Sequence, residues 1–301
     1  MNLKEDIQLD VAEVGEKILG RWAEIRRHTR SVIEDKELFT PEGASMEKHR
    51  EWALKSLRTL VKENATQYGF PEELGGQRNP GGSLSSFEEL ILGDASLQIK
   101  FGVQWGLFGS AILNLGTDYH HKTFLPGVTR LDTPGCFAMT ETGHGSDVAS
   151  IGTTATYDPA TQEFVVNTPD RHSYKDYIGN AALHGEAAVV FAQLYTEGEN
   201  QGVHAFYVPL RKRGKLLPGV GAEDDGLKGG LNGIDNGRLY FNQVRIPRAN
   251  LLNRYADVEP DGTYTSSIEN KGRRFFTQLG ALVQGRVSFR GRIWGPYYVV
   301  L

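Results

Sequence analysis

The residues best suited to chemistry lie together at Cys136-Phe137-Ala138-Met139-Thr140-Glu141-Thr142-Gly143-His144-Gly145-Ser146-Asp147. A short apolar run breaks there into a Gly-x-Gly turn flanked by hydroxyls and carboxylates. Such a junction can present backbone N–H groups, a threonine hydroxyl and a serine hydroxyl to a flat, polar-edged ligand. His144 stands between two glycines without the nucleophile and acid of a triad, so it reads as a loop histidine. Ser146 and Asp147 also suit a capped turn. His120-His121, beside Tyr119, has no carboxylate at ligand spacing, and adjacent residues face different sides of a helix. That pair reads as solvated, and no metal site is expected. Lys228, Arg238, Arg245 and Arg248 could reach phosphates but read first as a solvated charged face.

The chain has 301 residues, enough for a sizeable core and for two domains. Hydrophobic content of 39% and charged content of 23% exclude a disordered composition. A net charge of −4 gives no global drive toward nucleic acid or an anionic membrane. A single cysteine, Cys136, excludes an internal disulfide framework and fits a reducing compartment. Met1 to Asp6 lacks the apolar core of a signal peptide, and no apolar run approaches spanning length. Tyr298-Val299-Val300-Leu301 is not a peroxisomal Ser-Lys-Leu address.

The elements that must position the junction fall on either side of it. Ile7, Val11, Val14, Ile18, Trp22 and Ile25 recur at spacings of three and four, as on an amphipathic helix. Residues Met46 to Val61 repeat the pattern. Loop signals follow at Pro71–Gly76 and Asn79–Gly82, and Ser86 with Glu89 has capping-box spacing. Two more helices are expected over Leu97–Asn114 and Thr117–Leu125. The stretch from Phe101 to Gly109 is rich in glycine and aromatics, and each glycine costs about 1 kcal/mol in a helix interior. Close helix packing and a ligand-facing wall explain it equally well. After Gly135 come β-rich runs at Thr153–Tyr157, Glu163–Asn167, Ala187–Tyr195, Val203–Leu210, Arg238–Asn242 and Val244–Arg248, joined by turn residues. The near-continuous apolar run at Ala187–Tyr195 predicts a buried central strand, and Pro209 places the end of its successor at an edge. These runs predict an antiparallel barrel or sandwich, and the lack of strand–helix alternation argues against a Rossmann domain. Helical spacing returns from Ser266 through Phe275, Leu279, Leu282 and Val283.

With this order in view, Thr140-Glu141-x-Gly-x-Gly-Ser146-Asp147 resembles the flavin and acyl-CoA contact segment of the acyl-CoA dehydrogenase and oxidase superfamily. Asp235-Asn236-Gly237 and the run Val244 to Leu252 are similar to that family's exit from its β-domain. Thr154–Pro159, Gly202–Pro209 and Tyr255–Tyr264 resemble the oxidase branch. The resemblance implies an α+β chain: an N-terminal α-helical domain (1–133), a central flavin-binding β-domain (134–262), and only the start of a C-terminal helical bundle (263–301). It implies FAD, with Met139, Thr140 and Gly179 at the flavin, and Ser146 and Arg286 toward a fatty acyl-CoA substrate. The implied reaction is α,β-dehydrogenation to the trans-2-enoyl thioester, with O2 accepting the electrons and releasing hydrogen peroxide. Polarisation of the thioester carbonyl is required, because the α-proton is otherwise too weakly acidic for a carboxylate base.

Two departures qualify that picture. Relatives often place a tryptophan against the flavin where this chain has Asp176-Tyr177. The family's glutamate base lies beyond Leu301, so no catalytic residue is assigned in this chain, which reads as C-terminally truncated and inactive alone. The alternatives are an acyl-CoA dehydrogenase serving an electron-transfer flavoprotein, and a non-catalytic acyl-CoA- or flavin-binding remnant. A homodimer is expected of full-length relatives. The expected setting is bacterial cytoplasm, or the peroxisome in a eukaryote.

Overall fold

In the computed structural model of the chain, residues 10–280 and Val283 are described. Among the described residues, seven α-helices precede the first strand: α1 (Val11–Leu19), α2 (Ala23–Asp35), α3 (Met46–Lys62), α4 (Pro80–Glu89), α5 (Ala95–Phe101), α6 (Ser110–Leu115) and α7 (Asp118–Thr129). The single first helix expected from the apolar stripe is divided, because Gly20 takes a left-handed φ of 63° and a short turn over Gly20–Trp22 re-aims the chain. Ser86 does not begin a helix. Asn79 caps α4 by accepting from the Gly82 N–H at 2.8 Å, with Pro80 at the first helical position. Ser86 instead lies buried, its hydroxyl bonded to Thr29 and to the Ala65 carbonyl.

Gly102–Gly109 joins α5 to α6 as a π-helical stretch, a widened turn common near functional sites. Its glycines divide the labour. A Cβ on Gly109 would meet Phe70 at 3.0 Å and Val128 at 3.1 Å, whereas one on Gly106 would meet nothing within 4 Å. Close packing explains the first, and open space borders the second.

The strands begin with β1 (Gly135–Ala138), followed by β2 (Thr154–Asp158), β3 (Glu163–Asn167), β4 (Lys175–Ile178), β5 (Ala187–Thr196) and β6 (Glu199–Pro209). A small hairpin, β7 (Arg211–Lys212) with β8 (Lys215–Leu216), leads to β9 (Val220–Asp224), β10 (Gly237–Phe241) and β11 (Val244–Pro247). β12 (Ala256–Val258) and β13 (Tyr264–Ser266) form a last hairpin before α8 (Lys271–Leu279). The helix expected from Ser266 thus starts later, where Asn270 caps it.

The main sheet centres on β5, as its apolar run predicts. β6 covers one edge as an antiparallel neighbour, while β1 and β2 share the other edge end to end. Both of those pairings are parallel, so the sheet is mixed where an antiparallel one was expected. Long connections, 139–186 from β1 to β5 and 159–186 from β2 to β5, supply the crossovers that parallel neighbours need. β3 and β11 extend the sheet, and β4, β10 and β9 form a second, curling beside it.

Alternation along β5 decides how the halves join. Val189 and Phe191 pack with the helices, in one cluster with Leu97, Phe108 and Val128. Ala188, Val190, Ala192 and Leu194 face the other way into the β-domain core, with Phe206 and Leu239. Both faces are buried, which is why this strand reads as a continuous apolar run.

Candidate functional site

At the end of β1 the chain turns outward through Met139 and Thr140 and is held there by β4. Met139 is 5% exposed, its side chain in the helix-facing core. Its carbonyl accepts from Lys175 Nζ at 3.1 Å. Thr140 exchanges backbone contact with β4, its carbonyl accepting from the Asp176 N–H at 3.0 Å. The Thr140 hydroxyl donates to the Asp176 carbonyl at 3.0 Å and keeps its lone pairs as acceptors.

Thr140 and Gly179 line one cavity of about 290 Å³, together with Phe137, Tyr177, Ile178, Ile234 and Asn236 from the β-domain. Ile99, Val103 and Leu107 close it from the helical side. The sequence-derived pair is therefore brought together. Met139 stands behind the wall, and Ser146 lies exposed on the following loop, outside the lining. Arg286 lies outside the described residues.

Behind this wall are two buried ion pairs that no sequence pattern announced. Lys175 and Glu141, both without side-chain exposure, meet at 2.8 Å. Glu141 also accepts from the Thr153 hydroxyl at 2.6 Å, the Thr153 N–H at 3.0 Å and the Gly152 N–H at 2.7 Å. That set ties the Gly-x-Gly loop back to β4. Burial pulls the Lys175 pKa down to about 8, against the opposing pull of the Glu141 charge. The second pair joins the domains. Lys100 on α5 reaches Asp235 at 2.5 Å and Asn180 Oδ1 at 2.6 Å. Asp235 accepts in addition from the N–H groups of Leu183 and His184. Burial works to raise the Asp235 pKa, but the Lys100 charge and the His184 contacts outweigh it and hold the carboxyl well below its usual range. The turn carrying Gly179 is thereby pinned to the helical domain.

Tyr177 was legible only as a departure from the family's tryptophan. It is 72% exposed at the cavity rim, and its backbone holds a left-handed φ of 57°. Such a conformation in a bulky residue is sparsely populated and marks a constrained position. Asn236 secures it by donating to the Tyr177 carbonyl at 2.9 Å.

Several expectations change. His120 is not solvated: it is 1% exposed, donates from Nε2 to the Leu251 carbonyl at 2.8 Å, and accepts the Thr117 N–H at Nδ1. The ring caps α7 and staples it to the β-domain. The four cations considered for phosphates have internal partners. Lys228 holds the Ile234 carbonyl and Asn236, Arg238 holds Asp176, Arg245 holds Asp158 and Glu163, and Arg248 holds the Val258 carbonyl.

A second, wholly helical cavity of about 110 Å³ adjoins the first and shares Ile99, Val103 and Leu107 with it. Its wall is mostly hydrocarbon, from Phe70, Leu84, Phe87 and Leu113. Among the described residues no carboxylate lines either cavity.

A helical domain set on a curled sheet, with an apolar cavity at the seam, defines a class on comparison with known proteins. The N-terminal domain of acyl-CoA dehydrogenases matches residues 23–132, and the middle domain matches residues 136–244. The chain belongs to the acyl-CoA dehydrogenase family. Within it, the similarity is to oxidases. The peroxisomal acyl-coenzyme A oxidase 2 of Arabidopsis thaliana is 46% identical over 84% of this chain and 37% of its own length. The human peroxisomal acyl-coenzyme A oxidase 3 is 40% identical over 86% of this chain and 37% of its own length. Acyl-CoA oxidase 1 of Yarrowia lipolytica superposes with a TM-score of 0.79 at 31% identity, covering 91% of this chain and 38% of that one. Acyl-CoA oxidase 2 of Caenorhabditis elegans, solved with FAD, ascaroside-CoA and ATP, gives 0.75 at 29% identity, covering 90% and 40%. The chain thus spans about two fifths of the length of these relatives. Their peroxisomal names lend no support to the expected bacterial cytoplasm.

Proposed function

We propose that this chain carries the flavin- and substrate-binding half of an acyl-CoA oxidase. The observation that carries the reading is the meeting of Thr140 and Gly179 in one cavity at the domain seam, with apolar side chains from both domains and the polar groups of Thr140, Tyr177 and Asn236 in its wall. The residues present fit a flavin ring. Phe137 and Ile178 offer apolar contact, Gly179 packs so closely that a Cβ there would meet Val103 at 2.9 Å, and Thr140 with Asn236 offers polar atoms at the edge. FAD, when bound, supplies the hydride acceptor for α,β-dehydrogenation of a fatty acyl-CoA and passes the electrons to O2, with hydrogen peroxide as product.

The chain's own residues then bind and orient. Thr140 is held by β4 so that its hydroxyl meets the ring edge, and Met139 supplies backbone beside it. The Gly179 turn is braced through Asn180 and Asp235. Ser146, on the exposed loop, contacts the acyl-CoA, and Arg286 belongs to the same substrate side. We assign no base for the α-proton among the described residues, none of whose carboxylates lines either cavity. The peroxisomal names of the relatives support a peroxisomal setting, and their oxidase names favour O2 over an electron-transfer flavoprotein.

Purified chain mixed with FAD and desalted is expected to stay yellow, and Thr140→Val with Gly179→Val to release the flavin. A colourless wild-type chain sinks the flavin assignment.

A further inference from the structure

The β7–β8 hairpin breaks two local rules within four residues. Its two-residue turn, Arg213-Gly214, holds left-handed φ values of 53° and 76°, as a type I′ turn requires. The first of those places ordinarily takes asparagine, aspartate or glycine, and a long side chain there is strained. Lys212 and Lys215 stand directly opposite each other across the pair, where like charges destabilise a hairpin. Lys212, Arg213 and Lys215 are all exposed. Ion pairs at the β-domain surface go instead to Arg171, Arg238, Arg245 and Arg248, and none among the described residues includes these three cations. Leu216, next to them, is 39% exposed. The base of the hairpin is fixed, because Arg211 is buried and donates to the carbonyls of Ala181, Ala182 and Gly185. The three cations, with Leu216 and Leu217, line an open hollow of about 420 Å³. Local rules broken without a compensating neighbour mark places kept for function.

We propose that this hairpin is a docking tip for an anionic phospholipid surface, with Lys212, Arg213 and Lys215 against the phosphates and Leu216 entering beneath them. An anionic partner removes the repulsion between Lys212 and Lys215 and engages Arg213. An exposed leucine flanked by cations matches a surface that has hydrocarbon under its charge, whereas a free phosphate makes no use of it. The net charge of −4 supplies no general attraction, so contact is confined to the tip and the bilayer meets the chain in one orientation. No residue of the seam cavity takes part, so the inference stands apart from the acyl-CoA reading.

Sedimentation of the whole 301-residue chain with vesicles tests it. Vesicles of equimolar phosphatidylcholine and phosphatidylserine should bind the chain, and vesicles of phosphatidylcholine alone should not. Each basic residue at such a surface raises affinity about fivefold, so Lys212→Gln, Arg213→Gln and Lys215→Gln together should weaken binding about a hundredfold. Lys55→Gln, Arg58→Gln and Lys122→Gln remove three exposed cations of the helical domain and the same charge, and together should weaken it less than about twofold. Leu216→Ser keeps every charge and should weaken it about threefold. Circular dichroism checks that each variant is folded; if the hairpin triple variant is not, Lys215→Gln alone should still show the fivefold loss. Equal binding to the two kinds of vesicle, or an equal loss in the helical-domain variant, overturns the proposal. Unchanged binding by Leu216→Ser, with inorganic pyrophosphate bound at the hairpin in calorimetry, overturns it in favour of a soluble anion. Duplex DNA held as tightly as the vesicles, and released by the same triple replacement, overturns it in favour of nucleic acid.

Discussion

Replacing Lys175 with methionine isolates what holds the flavin-facing segment. The side chain keeps its length and apolar stem but loses the ammonium that bridges Glu141 at 2.8 Å and the Met139 carbonyl at 3.1 Å. Glu141 is fully buried, so no water can replace the lost cation. Removing one partner of a buried ion pair costs about 3–5 kcal/mol. Three donors remain on Glu141, from Gly152 and Thr153, which places the cost near the lower limit, about 3 kcal/mol. Urea unfolding at neutral pH, followed by circular dichroism, measures that loss. A second mutation, Glu141→Leu, should recover part of it, because the uncompensated carboxylate goes with it. The Lys175 pKa is lowered to about 8, below its unfolded value, so the unfolded chain binds the extra proton above that pH. Wild type should therefore gain stability relative to Lys175→Met as pH rises from about 8 to 10. A single mutant that loses less than about 1 kcal/mol, with no recovery in the double mutant, would refute the claim that this pair holds the loop.

Other perturbations probe the frame around the site. His204, 2% exposed, lies with Nδ1 2.9 Å from the Gly202 carbonyl and Nε2 2.9 Å from the Tyr264 hydroxyl, and burial pulls its pKa to about 4. Its unfolded form takes up a proton first, so stability should be lost as pH falls from about 6.5 to 4, by about 3 kcal/mol at most, and His204→Gln should flatten that part of an acid-unfolding profile. Gly135→Ala places a methyl 1.8 Å from the Phe108 ring and should cost about 1–3 kcal/mol by thermal unfolding. Gly106→Ala meets nothing and should be neutral or stabilising by up to about 1 kcal/mol. Lys100→Met leaves Asp235 buried beside the Gly179 turn, so hydrogen exchange at Leu183 and His184 should accelerate.

The pattern of types along the chain carried the order of the architecture. Apolar residues at helical spacing before Thr129, and turn-punctuated β runs after Gly135, can be read because each element must bury one face. The β5 run announced its own centrality, since a strand covered on both faces has no polar alternation to show. That Thr140 and Gly179 line one cavity was decided by the fold, which hydrogen-bonds Thr140 to Asp176, 36 positions further along the chain. The parallel pairings were not legible, because strand composition does not encode direction. Nor was the division of the first helix, where a single left-handed glycine outweighed a continuous apolar stripe.

Sequence by itself determined most of the elements and their order. Tertiary structure alone decided which charges are buried and with whom. Lys175 and Lys100 look like any surface lysine in the sequence, and His120 like half of a solvated pair. Their roles depend on partners up to 135 residues away, Asp235 for Lys100 and the Leu251 carbonyl for His120. Burial converts an ordinary polar residue into a brace, because a desolvated charge or ring nitrogen must find its hydrogen bonds within the protein. The same desolvation leaves the Trp105 indole N–H without a hydrogen-bond partner among the described residues, which no periodicity or motif could have disclosed.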